Sequence, residues 1–207
     1  MKKLISIFTA WVVLGLIFPW YFFAGFGYTV VGGGTVAASG CNPATDEIGY
    51  RASDPASMTL QFVDLTYMRG NLWTPECSGP LNTAYAWNDS GTSGRVVKIL
   101  VYENNGTDAD KLDTGDTLRD YTGEISADAA EEWFSGAMTN NYNVSTANKY
   151  WVVMISDQMW GYVYESGANC CYAAIDQDDY DTPPTNPPVT QAGYNDRKVA
   201  VYVTIGN

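Results

Sequence analysis

A chain of 207 residues with a formal net charge of −12 and no histidine is long enough to bury a full core without metal support. The acidic balance, with no basic stripe, excludes nucleic acid as a partner. Without histidine there is no Ser-His-Asp or Cys-His catalysis and no His-ligated zinc, so the chain is expected not to be an enzyme and to require no cofactor.

The N-terminus comes first. Lys2-Lys3 is followed by an uncharged apolar run of 28 residues from Leu4 to Val31. As a helix it would measure about 42 Å, against roughly 30 Å of bilayer hydrocarbon and a signal h-region of about 7–15 residues. Residues 1–31 therefore read as a transmembrane signal-anchor helix. The lysines stay cytoplasmic, and Trp20, Tyr21, Phe22, Phe23, Phe26 and Tyr28 lie at the outer interface.

Pro19 opens a second reading, in which a shorter h-region ends at Phe18, cleavage falls in "TVAAS" (residues 35–39) and the chain is secreted. "ASGC", ending at Cys41, opens a lipoprotein reading, with Ala38 where leucine is usual. A helix apolar all round also suits the core of a pilin-like filament or a virion, although the pilin cleavage motif is missing. Residues 4–31 are thus the expected contact with membrane or with other subunits of an assembly. "VGGGTVAASG" reads as part of a flexible linker over residues 32–47. An exterior domain follows over residues 48–207, at the cell surface or in the periplasm.

Alternation with period two dominates that domain. "MTLQFVDLTYM" places Leu60 and Phe62 on one face and Val63, Leu65 and Tyr67 on the other. "TAYAW" around Tyr85 is a shorter candidate. "RVVKILVYE" groups Val97, Ile99 and Val101, and "TLRDYTGE" follows around Tyr121. "SADAAEEWFSGAM" is the one helical candidate, capped by Ser126 and stopped at Gly136. "KYWVVMIS" groups Trp151, Val153 and Ile155, and "GYVYE" and "CYAAI" are next. A Pro-rich loop spans Asp181–Gly193. In "KVAVYVTI", Val199, Val201, Val203 and Ile205 share one face, with Lys198, Ala200, Tyr202 and Thr204 on the other. Eight or nine short strands between turn residues make an all-β sandwich.

"GRVVKILVYENNGTDADKLDTGD", "NKYWVVMISD" and "RKVAVYVTIG", spread over Ile48–Asn207, resemble a jelly-roll module of bacterial surface proteins, phage structural proteins and carbohydrate-binding modules. The resemblance implies an all-β, jelly-roll-like antiparallel β-sandwich, here preceded by a single N-terminal hydrophobic helix. It implies an exterior, non-catalytic role, and it transfers no ligand residue. Such modules often hold one structural calcium.

Four sets of residues are candidate sites. Cys41, Cys77, Cys170 and Cys171 suggest two disulfides in an exported domain. Adjacent cysteines rarely bridge each other, so one of Cys170 and Cys171 is expected to pair with Cys41 and the other with Cys77. Asn88, Asn105 and Asn143 open N-x-S/T glycosylation sequons. Trp160, Tyr162 and Tyr164 alternate on one strand face, and Trp73 and Trp87 stand in loop-like contexts. Such rings usually fill a core or an interface, and when exposed they stack on sugar rings, making a glycan a candidate partner. Two acidic loops, Asp176, Asp178, Asp179 and Asp181, and Asp108, Asp110, Asp113 and Asp116, offer oxygen ligands for a structural calcium. The expected function is a membrane-anchored exterior module with a structural or binding role. The alternatives are a filament or virion subunit and a secreted glycan-binding module.

Overall fold

Strand follows strand through the described chain. In order they are β1 (Glu47–Gly49), β2 (Thr59–Val63), β3 (Tyr67–Trp73), β4 (Gly79–Asn88), β5 (Arg95–Glu103), β6 (Thr117–Tyr121) and β7 (Ile125–Ala127). There follow β8 (Glu132–Ala137), β9 (Asn143–Val144), β10 (Tyr150–Ser156), β11 (Trp160–Ser166), β12 (Ile175–Asp176), β13 (Arg197–Val199) and β14 (Val201–Ile205). The structure is a computed structural model. It describes residues 41–63, 67–88, 95–105, 111–127, 131–158, 160–166, 175–176, 180, 185, 187 and 197–206. The expected N-terminal helix lies outside the described residues. Among these, no helix is long and apolar enough to cross a membrane. Gly40–Asn207 forms one compact unit, so the unit takes in residues expected as linker.

All pairings are antiparallel, in a sandwich-like arrangement. One sheet runs β1-β14-β4-β8, with β9 beside β4. The second runs β12-β3-β10-β5-β6, with β7 beside β5, and a small third sheet runs β13-β11-β2. The main core lies where the inward rows of the first two sheets meet. Ala84, Ala86, Val201, Val203 and Ile205 come from the first, and Val97, Ile99, Val101, Val152 and Met154 from the second. This is the alternation expected for β5 and β14.

Strand β10 is buried along its whole length because both its faces are covered. Tyr150, Val152 and Met154 face the main core. Trp151, Val153 and Ile155 face a second core closed by Leu112, with Tyr180 packed against it. The final strand breaks at Ala200, where the chain leaves the small sheet for the first one. Asn71 supports this junction. Fully buried, it donates from Nδ2 to the Val199 carbonyl at 2.7 Å and accepts the Val199 N–H on Oδ1 at 2.8 Å. One side-chain amide thus mimics a strand pairing between β3 and β13. Asn71→Leu strands both Val199 groups in the core and should lower unfolding free energy by about 2–3 kcal/mol. Urea unfolding measures this, and an unchanged midpoint would show that the amide is dispensable.

Two expectations are corrected here. The described residues of the helix expected over Ser126–Met138 are not helical: Ser126 and Ala127 end β7, and Glu132–Ala137 form β8. Strand β8 pairs with β4 from Asn88↔Glu132 to Thr83↔Ala137. Alternation accounts for it: Trp133, Ser135 and Ala137 face out, and Phe134 and Gly136 face in. A Cβ at Gly136 would stand 2.7 Å from Ile125 Cδ1, so any larger residue would push the Ile125 side chain aside. Long-range pairing outweighs the local capping signal.

The disulfide expectation also changes, since Cys41 bonds to Cys77. The two Cα atoms are 5.9 Å apart, within ordinary bridging distance, and this pairing leaves neither cysteine for Cys170 or Cys171. Cys170 and Cys171 lie outside the described residues.

Candidate functional site

The outward face of the β1-β14-β4-β8 sheet carries a group of aromatic rings. The inward positions already fill the core, so period two sends Tyr85 and Trp87 of β4, Trp133 of β8 and Tyr202 of β14 to the other side. Register then gathers them. Tyr202 lies opposite Tyr85, and Trp87 lies opposite Trp133. Tyr85 and Tyr202 stack with centroids 4.8 Å apart and planes 8° from parallel. Trp133 meets Tyr202 edge-on at 5.1 Å and Trp87 edge-on at 5.7 Å.

The Arg51 guanidinium stands 4.4 Å from the Tyr202 ring centre, and its Nε is 2.7 Å from Glu47 Oε2. Burial pushes the Tyr202 phenol and the Glu47 carboxyl up, and Arg51 opposes both shifts. Among the described residues, Tyr85 has Tyr202 as its only ring partner. Its other side borders Ser135 and Ala137, both exposed. The result is a half-buried aromatic shelf that steps down to small residues at the sheet edge. Its charges are already matched by its own ion pair.

Beside the shelf a cleft of about 280 Å³ opens. Four short pieces of chain build it: the exit of β1 (Tyr50–Asp54), a 3-10 turn at Pro55–Ser57, the start of β2 and the end of β11. Tyr50 and Met58 give it apolar walls, and Asp54 and Glu165 give it carboxylates. The Tyr50 hydroxyl donates to Glu165 Oε2 at 2.5 Å. That hydrogen bond, with burial and the Glu165 charge, pushes the Tyr50 phenol up to about 12. A small apolar cluster of Ala52, Val163 and Ala200 underlies both features. Tyr50 and Met58 pack on it from the cleft side, and Trp87 and Trp133 from the shelf side.

The anticipated sugar-stacking set is divided. Tyr162 is fully buried, with its hydroxyl donating to Gln61 Oε1 at 2.8 Å, so it is a core ring and not a platform. Tyr164 borders the cleft beside Glu165, but its ring packs against the main core, with the Arg197 guanidinium 4.2 Å from its centre. Trp73 packs against the main core. Trp87 belongs to the shelf. The Trp160 ring lies outside the described side chains. Sequence reasoning missed Tyr85, Trp133 and Tyr202. The alternation of "KVAVYVTI" already put Tyr202 on the face away from the core, but nothing local named its cross-strand neighbours.

The acids and sequons are placed as follows. Asp113 and Asp116 are buried and serve as turn acceptors. Asp116 accepts the Asn105 and Asp113 N–H groups at 3.0 Å each, and Asp113 accepts the Gly115 N–H at 2.6 Å. Asp108, Asp110, Asp178, Asp179 and Asp181 lie outside the described residues, and of Asp176 only the backbone, in β12, is described. Among the described residues one group of three brings metal-ligand atoms together, Cys41, Asp46 and Cys77, and its two sulfurs are spent in the disulfide. Asn88 is 2% exposed, at the end of β4, whereas Asn105 and Asn143 are exposed. No family model matches the chain, and comparison with characterised proteins finds no match in sequence.

Proposed function

We propose that this chain is a non-catalytic exterior protein of jelly-roll type. Residues 4–31 anchor it, and its outward aromatic shelf mates with partner subunits of a membrane assembly. The carrying observation is the shelf itself. Four large rings stand on the sheet face turned away from the main core, three of them half-exposed, and aromatic residues concentrate at protein contacts.

Other features support the reading. Strand order β1-β14-β4-β8 against β3-β10-β5-β6, with the first described strand beside the last, supports the jelly-roll reading. The Cys41–Cys77 disulfide fits an oxidising compartment outside the cytoplasm. Asp113 and Asp116 are engaged in holding backbone, not aimed at a substrate. A non-catalytic role agrees with the absence of histidine.

The test uses the full chain extracted from membranes in mild detergent. Wild type is expected to sediment as an assembly larger than one copy. The double variant Tyr85→Ser, Trp133→Ser should sediment as a single copy with its near-ultraviolet circular dichroism preserved outside the lost rings. An assembly that survives both substitutions would remove the shelf from the contact.

A further inference from the structure

The cleft beside the shelf has a chemistry of its own. Its lining offers hydrogen-bond acceptors in the carboxylates of Asp54 and Glu165. Tyr50 occupies Glu165 Oε2, and no described residue engages Glu165 Oε1 or the Asp54 carboxylate. The lining also offers hydroxyls that both donate and accept, from Ser53, Thr59 and Ser166. Among the described residues its lining contains no Lys or Arg. The nearby cations are set over the tyrosine rings, Lys198 Nζ at 5.2 Å from the Tyr50 centre and Arg197 at 4.2 Å from the Tyr164 centre.

A ligand suited to this lining donates several hydrogen bonds, accepts a few, carries no negative charge and presents a flat apolar face to a ring. We infer that the cleft binds a single neutral sugar residue in its pyranose form. In this assignment vicinal hydroxyls donate to Asp54 and Glu165 while the C–H face of the sugar rests on Tyr50 and Met58. Anions are disfavoured by the two carboxylates and by a net charge of −12. A simple ammonium ion is less suited, because it leaves the donor capacity of the three hydroxyls unused. The volume, about 280 Å³, is at the small end for ligand sites and suits one ring, not a chain. The assignment rests on the exterior, non-catalytic reading above and is independent of the shelf.

The experiment is saturation-transfer NMR and direct titration on the full chain in detergent micelles. The probes are glucose, galactose, mannose and N-acetylglucosamine, with tetramethylammonium and inorganic phosphate as competitors. At least one sugar is expected to bind with a dissociation constant on the order of 1 mM. Asp54→Asn keeps shape and packing and should weaken binding at least fivefold, and Tyr50→Ala should abolish it. Phosphate should not bind.

Tetramethylammonium binding without any sugar would overturn the assignment in favour of a cation cleft, and the absence of all binding would overturn it outright. Sugar binding that Asp54→Asn leaves untouched would move the site elsewhere and equally sink the proposal. If no sugar binds while the shelf variant still loses its assembly, the cleft assignment alone has failed. If sugar binds and the shelf variant assembles normally, the assembly reading has failed instead.

Discussion

Gly70→Ala is expected to yield no folded protein. Gly70 sits in β3 opposite Val153 of β10, in the middle of the larger sheet. A Cβ built there would stand 1.8 Å from the Val152 carbonyl oxygen and 2.6 Å from the Val153 Cα. Both are backbone atoms of a strand buried on both faces, so no flexible side chain can move aside. Relief would require β3 and β10 to separate, at the cost of their shared ladder and of packing on Leu72 and Trp151. The loss should exceed about 4–5 kcal/mol, the range reached only by severe core lesions and comparable to the whole stability of many domains. Soluble yield and far-ultraviolet circular dichroism check this. Gly123→Ala is the control, because nothing lies within 4 Å of a Cβ there, and it should fold normally. An alanine variant at 70 as stable as that control would mean that β3 does not run so close to β10.

Asp120→Ala should cost about 4 kcal/mol and loosen one whole turn. The Asp120 carboxylate is fully buried and accepts three backbone N–H groups. Oδ1 takes Tyr121 and Asn140 at 2.8 Å each, and Oδ2 takes Tyr142 at 2.9 Å. Hydrogen bonds to a charged group contribute about 1.5–3 kcal/mol each, and they are not additive. Alanine leaves the Asn140 and Tyr142 donors without acceptors around Asn141, whose φ of 49° this turn already imposes. Asp120→Asn keeps one good acceptor oxygen and should cost roughly half as much.

A local readout accompanies the global one. The Tyr142 hydroxyl donates to Glu103 Oε2 at 3.2 Å, beside the Arg119 Nε–H on the same oxygen at 2.6 Å. Burial and the Glu103 charge push the Tyr142 phenol up to about 12. Once the turn loosens, that phenol should titrate closer to the ordinary value of about 10. An alanine variant within about 1 kcal/mol of wild type, with the tyrosine titration unmoved, would show that water replaces the carboxylate at no cost.

Much of the fold was legible because alternation maps directly onto faces. The Val199, Val201, Val203 and Ile205 row lies in the core as expected, and Trp151 is buried as its apolar flanks imply. The break at Ala200 was not legible, since alternation continues unbroken across it. The error at Ser126–Met138 has a physical source. Ser126 and the following acids imitate a helix start, but the pairing that makes β8 is with β4, some fifty positions away in the chain.

The cysteines show the same limit. Strain disfavours joining neighbours, but which sulfurs meet depends on how β4 lies against the chain around Cys41, and spacing does not encode this. The aromatic shelf draws on β4, β8 and β14, so its composition appears only once register is known. The cleft is harder still, because its walls come from turns and strand ends that carry no periodic signal.

The Cys41–Cys77 bond sits where the described head begins, and this gives it a mechanical meaning. A pull on the chain from its N-terminal side enters the head at Cys41. The covalent link passes it straight to Cys77, two residues before β4 begins at Gly79. The 36-residue span between the two sulfurs, which holds β1, β2 and β3, is then bypassed by the tension. The far end of the chain returns to the same place. The Gly206 N–H donates to the Pro80 carbonyl at 2.9 Å, and Asn82 Nδ2 donates to the Gly206 carbonyl at 3.1 Å. Force entering through either end therefore meets at one pole of the sandwich. Because β4 and β14 are antiparallel, that load would open their ladder from this pole, one pair at a time beginning at Leu81↔Ile205. Reduction would reroute the same pull through β1, only three residues long, and make it the first strand to peel.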